Sequence, residues 1–544
     1  MHSLLLTVLS SLTLRFTGVF AAPSGPTVSI PYGTFQGTTR ENVTMFLGVP
    51  FAQAGRFEPP KTPKLLHGVQ NASEFGPACP QQKTTPIPLG SPPTYPSVSE
   101  ECLTLDVYKP ALDPASKLPV LVYIFGGGWD IGNSRDVDMF PIVTRSLELD
   151  EPVIVVAINY RLTAFGFLAS KEVSSAGISN LGLRDQIFAL EWVQKHISAF
   201  GGDPARVVIG GQSAGAISSS LLLLSNKQKS NALFRGAVLL SGTAEVLPSL
   251  DDGQPDYDGL VAANNCTAAS DTLDCLRRVP FDAFMATINK TPDLFSYRSL
   301  SLVWRPRVDG DLVLQDPLTS VSQGAYAKIP ALVGNDDDEG TIFSFSAPNV
   351  TTDAEFLEYV HSNYLPTSTP EEIARIGTFY PEDPTKGAPF DTGTAYQVTP
   401  EYKRLSAFLS DFGFFAPRRF FLEHISRTQD AWSWLYKRGK DTELGAYHGI
   451  DLPFWFNGNA GEPTTGVDAL INFINTLDPN RSSARLNARQ PSIFWPKYKP
   501  SAGSSNSSLL TFSDPDKVNI TADNFRVDAI EFLNGLLLKE ALVG

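Results

Sequence analysis

Positive charge is scarce in this sequence. Its 544 residues carry 43 Lys and Arg against 57 Asp and Glu, a formal net charge of −14. That balance argues against nucleic acid and against anionic membrane surfaces as partners. Long apolar runs are missing as well. Leu4 to Leu14 is too short to span a bilayer. Leu536-Leu537-Leu538 is followed at once by Lys539 and Glu540, which leaves neither a stable membrane anchor nor a lipid-anchor signal. There is no internal repeat and no linker-like stretch. Residues 22–544 are therefore expected to form one large domain, although length alone would suggest two to four. Cysteine is limited to four residues, a number that fits an oxidising compartment. Histidine is limited to six, few enough to sort one by one.

Residues 1–21 read as a secretory signal, with an apolar run and with Val19 and Ala21 suited to cleavage after Ala21. The expected location is extracellular. Eight N-x-S/T sequons, at Asn42, Asn71, Asn265, Asn289, Asn349, Asn480, Asn506 and Asn519, add support for a secreted glycoprotein.

Leu118–Phe125 and Pro152–Tyr160 are near-continuous apolar runs of strand length. Such runs are buried on both faces, which points to a mostly parallel sheet covered by helices. Leu183–Ala199 carries the apolar stripe of a helix, stopped by Gly201-Gly202. Gly236–Leu240, Pro330–Val333 and Ala431–Tyr436 are further strand candidates. The expected class is α/β, with large insertions between strands and helices. Pro80–Glu101 reads as a polar, Pro-rich surface loop, and Ser501–Ser508 as a solvated one.

The chemistry centres on Val207-Val208-Ile209-Gly210-Gly211-Gln212-Ser213-Ala214-Gly215. A β-branched run ends in a G-x-S-x-G turn and leads into small, helix-forming residues. This pattern lifts a serine hydroxyl clear of the backbone at the tip of a strand, and Gly211 and Gly215 remove the flanking clashes. The helix that starts there aims the free amide of Ala214 at the same spot, where an oxyanion can develop. A serine needs a base, and a base needs an acid to hold its tautomer.

In α/β-hydrolases the chain order is Ser, acid, His. His2, His67 and His196 precede Ser213 and drop out. His424 lies in a helical context and His361 in a polar, helix-like segment. His448 sits in the small-residue loop Gly445-Ala446-Tyr447-His448-Gly449, soon after a strand, and is the favoured base. For the acid, Pro330–Val333 leads into Asp336-Asp337-Asp338-Glu339. At most one of the four can face the histidine; the residues alone do not choose among them, and the other three are expected to form a solvated acidic turn. Gly126-Gly127-Gly128, directly after an apolar strand, can supply further oxyanion amides.

These motifs, with Glu101-Cys102-Leu103-Thr104-Leu105, Asn159-Tyr160-Arg161, Gly182-Leu183-Arg184-Asp185-Gln186, Phe200-Gly201-Gly202-Asp203-Pro204 and Asp338-Glu339-Gly340, occur in an order that resembles the type-B carboxylesterase/lipase family of α/β-hydrolases. Pro389-Phe390-Asp391-Thr392-Gly393, Thr399 to Arg404 and Asp523-Asn524-Phe525-Arg526 look most like secreted fungal lipases of the Candida rugosa lipase group. The resemblance implies an α/β-hydrolase fold and a cofactor-independent hydrolase of small-molecule or lipid esters. It implies Ser213 as nucleophile, Glu339 as acid and His448 as base. It also implies Gly127, Gly128 and Ala214 as oxyanion donors, and the disulfides Cys79–Cys102 and Cys266–Cys275.

Two departures stand out. Phe125 replaces the His that many members carry before the triple glycine, as it does in the fungal lipases. The Cys79–Cys102 loop is shorter and more polar than the amphipathic lid of those lipases, which predicts a more open pocket with weak activation at oil–water interfaces. Feruloyl and sterol esterases are competing readings within the enzyme class. Outside it, the rival is a non-catalytic cholinesterase-like binding module.

Overall fold

A computed structural model describes residues 25–87, 94–112, 116–225, 232–457, 464–480, 493–499 and 507–543. The expected signal at 1–21, the sequon at Asn506 and most of Ser501–Ser508 lie outside the described residues.

The apolar runs become strands with every residue buried, Leu118–Ile124 and Ile154–Ile158. Among the described residues, eleven strands form one sheet. In chain order they are β1 (Thr38–Arg40), β2 (Val43–Pro50), β3 (Thr104–Pro110), β4 (Leu118–Ile124), β5 (Ile154–Ile158), β6 (Gly202–Gln212), β7 (Gly236–Leu240), β8 (Ala331–Asp336), β9 (Ala431–Lys437), β10 (Ser508–Ser513) and β11 (Lys517–Ala522). Their spatial order is β11-β10-β9-β8-β7-β6-β4-β5-β3-β2-β1. The central strands, β5 through β10 in that row, pair in parallel. Antiparallel pairing is confined to the two margins. A separate three-stranded sheet is built from Thr27–Ile30, Gly33–Gln36 and Val69–Asn71.

The expected helix runs from Leu181 to His196 (α1), and Gly201 at φ +90° ends the turn that follows it. Ala214–Leu224 (α2) leaves the elbow with all its residues buried. Tyr402–Ser410 (α3) and Ala416–Ile425 (α4) are joined without a break by a π-helical turn, Asp411–Phe415. The last helix, Val527–Val543 (α5), contains the Leu536–Leu538 run. No helix of the described residues is long and apolar enough to cross a membrane.

Both disulfides are formed, Cys79–Cys102 and Cys266–Cys275. The loop closed by the first is fastened along its described parts. The Gln82 amide donates to Asp130 O at 3.0 Å and the Gln82 side chain to Thr291 O at 2.8 Å. Thr85 donates twice to Asp293, and Tyr95 donates to Asp136 at 2.7 Å.

Because β4, β6, β8 and β9 are parallel, their C-terminal ends share one edge. Gly126-Gly127-Gly128, Ser213, Glu339 and His448 all leave the sheet there, where open α/β sheets place their ligand crevice.

Candidate active site

The elbow is a steric consequence of crowding against β4. A Cβ on Gly215 would lie 2.6 Å from the Phe125 carbonyl, and one on Gly211 2.7 Å from that of Ile124. Between them Ser213 takes φ +55°, a left-handed conformation that a side chain normally avoids. Its amide donates to Leu240 O at 2.9 Å, so the turn is tied to β7. Ala214 opens α2, and its N–H has no acceptor within the helix.

The glycine run closes over this turn. A Cβ on Gly126 would come within 2.8 Å of the Ser213 Cβ. Gly127 and Gly128 adopt φ +101° and +62°, and the Gly127 carbonyl accepts from the amides of Asp130 and Ile131, each at 3.1 Å. Trp129, buried, donates from Nε1 to Ser218 Oγ on α2 at 3.0 Å and locks the run against the elbow helix.

The four consecutive acids that end β8 and follow it are all buried, which corrects the expectation of a solvated turn. Each has a different job. Asp336 Oδ2 accepts from the Gly449 amide at 2.7 Å. Asp337 pairs with Lys440 at 2.7 Å and Lys437 at 3.4 Å. Asp338 accepts from the amides of Phe390 and Ala446, both at 2.7 Å, and pairs with Lys440. Glu339 Oε2 meets His448 Nδ1 at 2.5 Å, while its Oε1 accepts from Asn335 Nδ2 and from the Asp336 amide. Asp336 and Asp338 thus grip the backbone of the histidine loop on either side of His448, and Glu339 takes the ring. Burial pushes the Asp338 carboxyl up to about 6 and Asp336 well above its ordinary range. For Asp337 burial acts in the same direction, but Lys440 and Lys437 hold its carboxyl below the usual value.

His448 is nearly buried, with Phe343 and Phe414 packed on its ring at centroid distances of 5.2 and 4.7 Å. Because Nδ1 faces a carboxylate, Nε2 carries the free lone pair. Gln212 Nε2 lies 3.1 Å from it and donates to it. Among the described residues, Ser213 Oγ has no hydrogen bond. The other late histidines stand apart: His424 is on α4 with Nδ1 2.8 Å from Phe420 O, and His361 is in the helix Asp353–Tyr364.

Ser213, Ala214 and Gly128 line a pocket of about 670 Å³, a volume that includes space open to solvent. Its walls are otherwise mostly apolar, with Ile217, Leu294, Leu300, Phe343 and Phe414 among them, and Leu537 of α5 closing one side. Sequence reasoning missed most of this wall. It also missed Gln212, although its place beside Ser213 was a usable signal. Phe412 and Phe414 reach the cavity through the π-helical turn, which no sequence period announces. No described residue of the Cys79–Cys102 loop lines it. Among the described residues, no group of three or more His, Cys, Asp or Glu side chains is arranged to hold a metal ion.

The profile of the carboxylesterase family matches residues 24–527. The secreted triacylglycerol lipase LIP1 of Gibberella zeae is 36% identical to the chain, over 93% of this chain and 90% of that protein. Lipase 4 of Diutina rugosa is 34% identical, over 92% and 94%. Among solved structures, EstA of Aspergillus niger superposes with a TM-score of 0.80 at 26% identity, covering 94% of this chain and 98% of that one. With agreement of this extent in sequence and in backbone, the chain belongs to the carboxylesterase family and is a carboxylic-ester hydrolase of the α/β-hydrolase fold.

Proposed function

We propose that the chain is a secreted extracellular lipase or carboxylesterase, a single domain over residues 22–544 behind a cleaved signal, that cleaves apolar carboxylic esters through a Ser213–His448–Glu339 triad. The observation that carries this reading is the short Glu339–His448 contact beside a strained serine that opens into an apolar cavity.

Glu339 holds His448 with Nδ1–H fixed, so Nε2 is the basic nitrogen. The ring lone pair turns from Gln212 to the Ser213 hydroxyl and takes its proton as Oγ attacks the ester carbonyl. The amides of Gly127, Gly128 and Ala214 receive the oxyanion; being backbone groups on a locked turn, they need no reorganisation. His448 then protonates the departing alcohol, and water repeats the cycle on the acyl-enzyme. The alcohol must leave within reach of His448, which does not line the cavity. The acyl group therefore occupies the cavity, whose wall carries the nucleophile and the amides of Gly128 and Ala214.

Ser213→Ala is expected to lower kcat by roughly four to six orders of magnitude. A serine-directed phosphonate is expected to label the wild type and not the variant. Ester hydrolysis retained by Ser213→Ala overturns the assignment.

A further inference from the structure

One part of the acyl cavity is not apolar. Arg305 and Glu245 form an ion pair in its wall, with Arg305 Nη2 also 3.2 Å from Val246 O. Their side chains are 15% and 19% exposed, and burial raises the Glu245 carboxyl above its ordinary range. A pair so placed costs desolvation that plain aliphatic walls would avoid. The neighbours Ile217, Val246, Leu294, Leu300 and Leu302 offer no side-chain partner. The pair is also not saturated. Arg305 Nε is buried without a partner, and among the described residues nothing bonds Arg305 Nη1 or Glu245 Oε2.

We propose that this pair is a polar anchor in the acyl pocket, and that the preferred acyl group carries a hydroxyl part-way along its chain. The inference rests on the acyl-enzyme reading above. A hydroxyl suits the pair because it can accept from the guanidinium and donate to the carboxylate at once. A carboxylate would be repelled by Glu245 and an ammonium by Arg305. An unsubstituted chain would leave both charged groups facing hydrocarbon, a mismatch that sites built for hydrogen bonding discriminate against.

The test compares p-nitrophenyl decanoate with its monohydroxy analogues, the hydroxyl being moved along the chain. The proteins are the wild type, Arg305→Met and Glu245→Gln, with Ser213→Ala as blank. For the wild type, one hydroxyl position is expected to exceed decanoate in kcat/KM by about tenfold or more. That ratio is expected to fall toward one in Arg305→Met and to fall partly in Glu245→Gln. A structural role for the pair would change Tm and leave the ratio in place. The proposal is overturned if decanoate matches every analogue in the wild type, or if the ratio survives in a folded Arg305→Met protein. Should that variant not fold, the wild-type series and Glu245→Gln decide. Decanoate turnover that disappears in Ser213→Ala while no hydroxyl preference exists sinks the anchor alone. Decanoate turnover that persists in Ser213→Ala removes the acyl-enzyme reading, and the anchor with it.

Discussion

The floor and the wall of the pocket are built by different rules. The floor is backbone. Strand ends, two glycine turns and four consecutive acids hold Ser213, the amides of the glycine run and His448 through short contacts. The wall is side chain, contributed by segments as distant as Leu294, Phe414 and Leu537. A floor of this kind fixes which bond is broken. A wall of this kind sets which group sits beside that bond, and it can change one residue at a time.

The contrast makes the floor brittle and the wall graded. Glu339→Gln keeps the shape but removes the charge that holds the Nδ1–H tautomer. The expected loss in kcat is on the order of a thousandfold to ten-thousandfold, measured on a soluble p-nitrophenyl ester. A loss below tenfold would show that the ring is positioned by Asp336 and Asp338 through the backbone alone. The wall should respond by increments. Each methylene added to the acyl chain is expected to raise kcat/KM by about fourfold until the cavity is full, since a buried CH₂ contributes about 0.8 kcal/mol. A flat profile from acetate upward would mean that the acyl group does not enter the cavity.

The rim supplies a weaker test. The Cys79–Cys102 loop is fastened to Asp130, Thr291, Asp293 and Asp136, so rate against substrate concentration should pass the solubility limit without a jump. A sharp rise there would mean that the loop lifts at an oil surface.

The smallest effect concerns stability. Asp451, three residues past His448, is pushed up to about 7 by burial, although Trp455 and Trp434 donate to it. Its folded pKa lies above the unfolded value of about 3.9. The folded state therefore holds the proton more tightly, and stability from this group falls as pH rises from about 4 to about 7. Asp451→Asn is expected to gain a few degrees in Tm over the wild type at pH 8 and little at pH 4. A gap that does not change with pH would show that the carboxyl is not the titrating group.

The same contrast explains what was legible in the sequence. Ser213, His448 and the glycine run could be read because each sits in a local pattern that backbone sterics demand. The strands of the central sheet could be read from their apolar runs. Among the four acids, local pattern failed. Asp336 to Glu339 are chemically alike, and their separate duties depend on Gly449, Lys440 and Ala446, more than a hundred residues away. The family resemblance singled out Glu339, but nothing in it foretold that its three neighbours would be buried. The Arg305–Glu245 pair was missed for the same reason, since neither residue has a neighbour in sequence that marks it.

The π-helical turn at Asp411–Phe415 also sets phase. A residue of α-helix advances the chain by about 100°, so the turn decides how α4 is rotated relative to α3. Within it Phe412 and Phe414 line the cavity; just past it Arg418 and Arg419 clasp Asp523, whose carboxyl they hold down to about 2 against the upward push of burial. Removing one residue here would turn both sets together. The segment therefore works as a gear between pocket and scaffold: its side chains can be exchanged, but its length cannot drift.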